Sequence, residues 1–321
     1  MYKIEINKAG WKVPFRKWKV CLFGNREKSG GLITFVTYFL LINIALIYLN
    51  PIIYMISTSL KGVDDILDAT VGLIPRHPTF DNVFLAFEGL EYFDALRNTL
   101  LVVLPSALGQ VVSCGIAGYA FARLEIPCKK ILFFILIITF IVPPQTIIIP
   151  LLIMYKNLHL INSPFPFILP AMVAQGLNAP LFVIIYMQYF KNQPREIEDA
   201  ARVDGSGVFR IFWKVMFPMA KPAMIVVFLF SVVWHWNETF LYLFLNPTFR
   251  TLSLKISDLK FISSAEYSTT DTIKNAILAG GITTETVMMA GCFITILPTL
   301  LLFFVTQKWF THGIERTGLV E

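Results

Sequence analysis

Charge is scarce in this chain. Of its 321 residues, 15% are Asp, Glu, Lys or Arg, against about 25% in soluble domains, and that shortage excludes an ordinary water-soluble enzyme. Cysteine is equally sparse. Cys21, Cys114, Cys128 and Cys292 lie far apart and form no C-x-x-C pair, so they predict neither a disulfide framework nor a thiolate metal site. His77, His159, His235 and His312 are just as dispersed, and no His/Cys/carboxylate group has metal-ligand spacing. Also missing are a G-x-x-x-x-G-K-[ST] string for nucleotide phosphates, a G-x-S-x-G string and an H-E-x-x-H string. Without them the chain lacks the motifs of a nucleotide hydrolase, a serine hydrolase or a zinc protease. No catalytic residue is expected, and no metal or cofactor bound by this chain.

What is plentiful is apolar surface: 56% hydrophobic residues, 29 Phe and a mean hydropathy of +0.66. Six long apolar stretches cover 33–58, 98–122, 131–155, 165–190, 219–245 and 285–306. Each is long enough for the roughly 20 residues of a membrane-crossing helix. They are too long and too evenly apolar for the alternating strands of about ten residues in a membrane barrel. The expected fold is therefore an all-α membrane protein of six transmembrane helices. Pro143 and Pro144 in the third stretch, Pro170 and Pro180 in the fourth and Pro298 in the sixth predict kinks or broken helices. Residues 1–32 are polar, and the first apolar run comes too late for the h-region of a cleaved signal peptide, so that run is expected to stay as an anchor.

Sorted by side of the six stretches, Lys and Arg divide 19 to 8, with the arm 1–32, the loop 191–221 and the tail 307–321 on the richer side. The positive-inside rule places that side, with both termini, in the cytoplasm. The basic arm next to a first span is read as an orientation signal rather than as a nucleic-acid tail. Of the outer loops, the first carries Asp64, Asp65, Asp68, Asp81, Glu88, Glu91 and Asp94, and the second, 246–284, is rich in Ser, Thr and Gly. Both are either partner surfaces or solvated connections.

The inner loop 191–221 reads as two short helices. Pro194 suits a first helical turn, and Glu196, Glu198 and Asp199 suit the positive helix N-terminus. Ala200 and Ala201 continue the helix, and Gly205 and Gly207 supply the turn. Phe209, Phe212, Trp213 and Met216 then repeat at i, i+3, i+4, i+7, an apolar stripe, until Pro218 and Pro222. Small residues beside an apolar stripe make a docking element: Ala200 and Ala201 let a partner approach the backbone, and the acidic side chains can pair with basic ones.

The string Glu198-Asp199-Ala200-Ala201-Arg202-Val203-Asp204-Gly205, followed by Val215 and Phe217-Pro218, resembles the EAA loop of ABC importer permeases (E-A-A, three residues, G, nine residues, I, one residue, L-P). Asp199 stands where Glu is usual, and Val215 and Phe217 replace Ile and Leu. From about residue 30 to the end the chain is similar to the shorter, maltose-type permease of carbohydrate importers. The matching stretches are Asn98-Thr99, Gly118-Tyr119-Ala120-Phe121-Ala122-Arg123-Leu124, Pro143-Pro144-Gln145, Trp236-Asn237-Glu238 and Gln307-Lys308-Trp309-Phe310. The resemblance implies a type I importer permease domain over 33–306. It implies a second, non-identical permease, two ATP-binding subunits that carry ATP and Mg, and an extracytoplasmic solute-binding protein, all in a bacterial or archaeal plasma membrane. The coupling residues would be Glu198, Asp199, Ala200, Ala201, Asp204, Gly205 and Pro218. The tail 307–321 would be the family's extension between the ATPases, or else a frayed polar end.

Glu238 is costly in hydrocarbon, at about 2.5 to 3.5 kcal/mol near a helix centre. With Gln145, Trp234 and Asn237 it lines a sugar path, or it serves as an interhelical clamp or interfacial group. A six-span secondary transporter or channel is the alternative function. It would want repeated intramembrane charges, and apart from Glu238 the spans are nearly free of them.

Overall fold

The computed structural model describes residues 31–262 and 283–318. The arm to residue 30 with Cys21, residues 263–282 of the second outer loop, and the last three residues lie outside them. Among the described residues every regular element is helical. In chain order they are α1 (Gly31–Ser59), α2 (Val63–Leu67), α3 (Asp81–Gly89), α4 (Tyr92–Arg123), α5 (Lys129–Ile141), α6 (Pro144–Asn157), α7 (Phe165–Met172) and α8 (Ala179–Lys191). There follow α9 (Glu196–Val203), α10 (Val208–Met219), α11 (Lys221–Asn237), α12 (Phe240–Leu245), α13 (Leu252–Ile262) and α14 (Thr284–Gly318).

Among the described residues three helices, α1, α4 and α14, are long and apolar enough to cross a membrane unbroken. Of the other expected stretches, the third is bent by 90° between α5 and α6 at Pro143. There Pro144 and the missing proline N–H end the α-helical ladder. The fourth is interrupted at 173–178, where Ala174 and Asn178 take left-handed φ angles of 57° and 54°. The fifth pauses at Glu238 and Thr239, and α10 meets α11 at 77°. Pro51, Pro105 and Pro298 stay inside continuous helices. Helix α14 does not stop at 306 but runs on to Gly318, through all but the last three residues of the expected tail.

A broken helix in hydrocarbon frees carbonyls that must find donors. Most come from α4. Gln110 Nε2 donates to the Leu177 carbonyl at 2.8 Å, and Ser113 Oγ donates to the Ala171 carbonyl at 2.6 Å. Further along, Asn98 Nδ2 donates to the Arg250 carbonyl at 3.0 Å, and the Thr99 hydroxyl accepts the Leu252 N–H at 2.9 Å. α4 therefore packs centrally, against α7, α8 and α11. The largest core cluster joins it to α8 and α10 through Tyr119, Phe182, Tyr186, Phe190, Phe212 and Met216. α1 by contrast is apolar all round and touches α14, leaving most of its surface for lipid.

The acidic loop between α1 and α4, expected on the outer face, is neither a loose connection nor a bare acidic surface. Asn82 is buried and donates to the Ser59 and Lys61 carbonyls at the end of α1, and it accepts the Thr286 hydroxyl at the start of α14. Asp65 is buried beneath the backbone N–H groups of Arg76 and His77. Asp68 follows α2, between the first two apolar stretches. The Thr70 hydroxyl and N–H, then Arg76, hold its carboxyl below the usual range.

Among the described glycines the tightest packing is at Gly118 of α4, where a Cβ would sit 2.4 Å from Tyr186 Cβ and 3.0 Å from the Met187 N and Val183 O of α8. Gly118→Val is expected to destabilise the bundle by about 1–3 kcal/mol through overpacking. Gly72→Val, with nothing within 4 Å, should leave the thermal midpoint in detergent unchanged. Equal midpoints for the two variants would contradict this packing.

Candidate functional site

The loop 191–221 folds as α9 and α10 joined by a Schellman turn. Gly205 N–H bonds the Arg202 carbonyl at 2.9 Å and Ser206 N–H bonds the Ala201 carbonyl at 3.0 Å, which is the paired closure of that motif. Gly205 takes φ +77°, the left-handed geometry that glycine adopts without strain. Gly207 is extended and is not required conformationally. Helix α9 starts at Glu196, two residues beyond Pro194, and carries Glu196, Glu198 and Asp199 in its first turn. In α10 a π-turn over Phe212–Met216, closed by the Phe217 N–H on the Phe212 carbonyl, precedes Pro218, which has no N–H to donate.

The apolar stripe read from the sequence divides. Phe212 and Met216 turn into the core, while Phe209 and Trp213 stay outside. The alanines divide too: Ala200 is exposed and Ala201 packs against the core. Val203 and Phe209 are 88% and 82% exposed. Asp199, Asp204 and Pro218 are exposed as well.

Glu198 differs from its acidic neighbours because it points inward. Its side chain is 4% exposed, and Oε1 lies 3.1 Å from Nε of Arg123, itself 5% exposed. Tyr119, one turn before Arg123 on α4, donates its hydroxyl to Glu198 Oε2 at 3.4 Å. Arg202, four residues on in α9, is 3.5 Å from the same oxygen and also reaches Asp199. Arg123 Nη2 donates to the Gln193 carbonyl just beyond α8. The expectation that this acid faces a partner is therefore replaced by an internal ion pair. Burial explains the change, because a carboxylate out of water must find its counter-charge within the fold. Tyr119 and Arg123 were legible as a sequence string but not as part of this site. Their signal was a polar pair at i, i+4 on one face of a helix.

The four residues read as a solute path are not gathered. Gln145 is exposed at the α5–α6 bend. Trp234 is half-buried, with Phe182 and Phe230 against its ring at centroid distances of 5.3 and 5.6 Å. Asn237 is exposed and donates to the Val233 carbonyl at 2.9 Å. Glu238 lies in the break between α11 and α12, where its Oε1 accepts the Leu241 N–H at 2.8 Å and its carbonyl accepts the Ser253 hydroxyl at 2.9 Å. The carboxylate thus caps the start of α12 locally, and the backbone carbonyl, not the side chain, makes the contact with α13. A cavity of about 960 Å³ does open among α5, α6, α7 and α12. Its wall, including Leu151, Met154, Phe167, Pro170 and Leu241, is mainly apolar, and none of those four residues lines it.

Comparison with known proteins fits this architecture. The family model for the inner membrane component of binding-protein-dependent transport systems matches residues 114–316. The chain belongs to that family. It is 28% identical over 279 residues to the arabinooligosaccharide transport permease AraQ of Bacillus subtilis, covering 86% of this chain and 92% of that one. It is 26% identical over 297 residues to the melibiose/raffinose/stachyose import permease MelC of the same organism, covering 92% and 98%. In fold it matches a chain of a bacterial ABC transporter that imports the polysaccharide alginate, with a TM-score of 0.71 at 24% identity over 87% of this chain and 96% of that one. As a member of the family, the chain is a membrane transport subunit.

Two outcomes test the site. Arg123→Ala should cost about 3–5 kcal/mol, because it leaves the Glu198 carboxylate buried and unpaired. Glu238→Ala should cost about 0.5–2 kcal/mol by loss of the cap, whereas Glu238→Gln keeps an oxygen for Leu241 N–H and should stay close to wild type. Thermal unfolding of the purified variants reads both. A Glu238→Gln loss as large as that of Glu238→Ala would show that charge, not capping, is what the position supplies.

Proposed function

We propose that this chain is one of two non-identical permeases of an ATP-driven carbohydrate importer. It crosses the membrane six times with both termini in the cytoplasm. The spans would be α1, α4, α5 with α6, α7 with α8, α11 with α12, and α14. The 19 to 8 distribution of Lys and Arg supports that orientation, since it places the loop 191–221 on the basic side. A carbohydrate cargo is supported by the relatives, whose names specify arabinooligosaccharides and melibiose, raffinose or stachyose.

The observation that carries the reading is the loop's two-sided build. One face is locked to α4 through Glu198 and Arg123. The other displays Ala200, Val203 and Phe209 to solvent, with Asp199 and Asp204 beside them. An apolar surface with an acidic border fits a groove with basic edges on a cytoplasmic ATPase. Two such subunits would bind and hydrolyse ATP with Mg, since this chain has no phosphate-cradling string. On the opposite side, the folded outer loop around Asn82 would face the extracytoplasmic solute-binding protein. ATP-driven closure of the ATPases would move the docked loop as a rigid element and rock the spans between outward and inward access.

Copurification of the ATPase with the tagged chain tests this. Val203→Glu and Phe209→Glu place charge in the apolar face without touching the core, and each should cut recovered ATPase by about tenfold, the equivalent of 1.4 kcal/mol. The thermal midpoint should not move. Undiminished recovery in both variants would refute docking at this face. Uptake by vesicles containing the complex and its binding protein, measured with raffinose and arabinotriose, addresses the cargo.

A further inference from the structure

We infer that Glu198 and Arg123 form a tether that makes α4, and not only the helices joined directly to the loop, the element that moves with it. The inference rests on the docking reading above. By chain connectivity alone, α9 and α10 are tied to α8 through residues 192–195 and to α11 through the 77° corner at Ala220. Such a loop would be free to swing about both connections without displacing α4. Three contacts remove that freedom. The Glu198 carboxylate meets the Arg123 guanidinium at 3.1 Å with both side chains nearly fully buried. That guanidinium also binds the Gln193 carbonyl in the linker itself. The Tyr119 hydroxyl reaches the second carboxylate oxygen, and its ring lies against Phe190 of α8 and Phe212 of α10 at centroid distances of 5.5 and 5.3 Å. Glu198, Arg123 and Tyr119 together therefore gather the ends of α4 and α8 and both loop helices.

The consequence reaches deep into the bundle, because α4 is also the helix whose Gln110 and Ser113 hold the interrupted stretch between α7 and α8. Displacement of the loop would act on that interruption through α4. Glu198 and Arg123 are thus positioning residues: they transmit the position of the docked face without touching the ATPase.

The test uses the assembled complex, its native cysteines replaced by Ser because Cys128 is exposed and would also take label, with spin labels at Glu125→Cys, just past α4, and Lys214→Cys on α10, both exposed positions. In otherwise wild-type protein the distance between them should be single and narrow, and the same with ADP as with MgATP and vanadate. In the Arg123→Gln/Glu198→Gln variant, which keeps hydrogen-bonding groups but no charge, ATPase should still copurify while the narrow distance is lost. The charge exchange Arg123→Glu/Glu198→Arg should restore it, a rescue that general loss of packing would not give. A wild-type distance that shifts between nucleotide states, or a Gln/Gln variant that keeps the narrow distance in both, would overturn the tether. Failure of the wild-type chain to recover any ATPase would instead overturn the docking reading, and the label distance without nucleotide would still report on the tether.

Discussion

Everything in this bundle depends on how the backbone is satisfied where the helices break. In hydrocarbon no water is available to take over a free carbonyl, and several of the apolar stretches here are bent or interrupted. The structure answers with one continuous helix, α4, that carries polar side chains at three levels. Asn98 and Thr99 hold the chain entering α13, Gln110 and Ser113 hold the interruption between α7 and α8, and Tyr119 and Arg123 hold the loop. The polar groups that an insertion scale would count against α4 are the ones that allow its neighbours to be irregular.

The same device explains why the loop can work as a lever. A surface that receives another protein must be exposed, yet an exposed loop on flexible joints transmits little. Burying one carboxylate against Arg123 resolves the conflict, because the desolvated pair is costly to separate while the opposite face stays open. Neighbouring acids with the same chemistry therefore differ in role: Glu198 is turned in and Asp199 is turned out, set by the helical period of α9 rather than by charge.

Glu238 follows the same logic at the other end of α11. A lone carboxylate within an apolar stretch invites a reading as a ligand for solute. Its position at a helix break, with the Leu241 N–H on one oxygen and the Ser253 hydroxyl on its carbonyl, gives it structural employment first. Glu238 does not itself line the mainly apolar cavity beside α7 and α12, although Leu241, whose N–H it accepts, does.

The sequence by itself determined the helical membrane class, the location of the apolar stretches and the two-helix loop with its glycine turn, because hydropathy, helix period and left-handed glycine are local properties. It also carried the strings around Asn98, Tyr119 and Glu238, but as separate strings. Only the tertiary structure decided that Arg123 belongs with Glu198, 75 residues away, that Phe209 stays exposed while Phe212 is buried, and that the fourth stretch is interrupted at 173–178. Those outcomes depend on which helices lie side by side and on which buried groups find partners. Periodicity along one chain does not encode the identity of the neighbour that completes a buried hydrogen bond or ion pair.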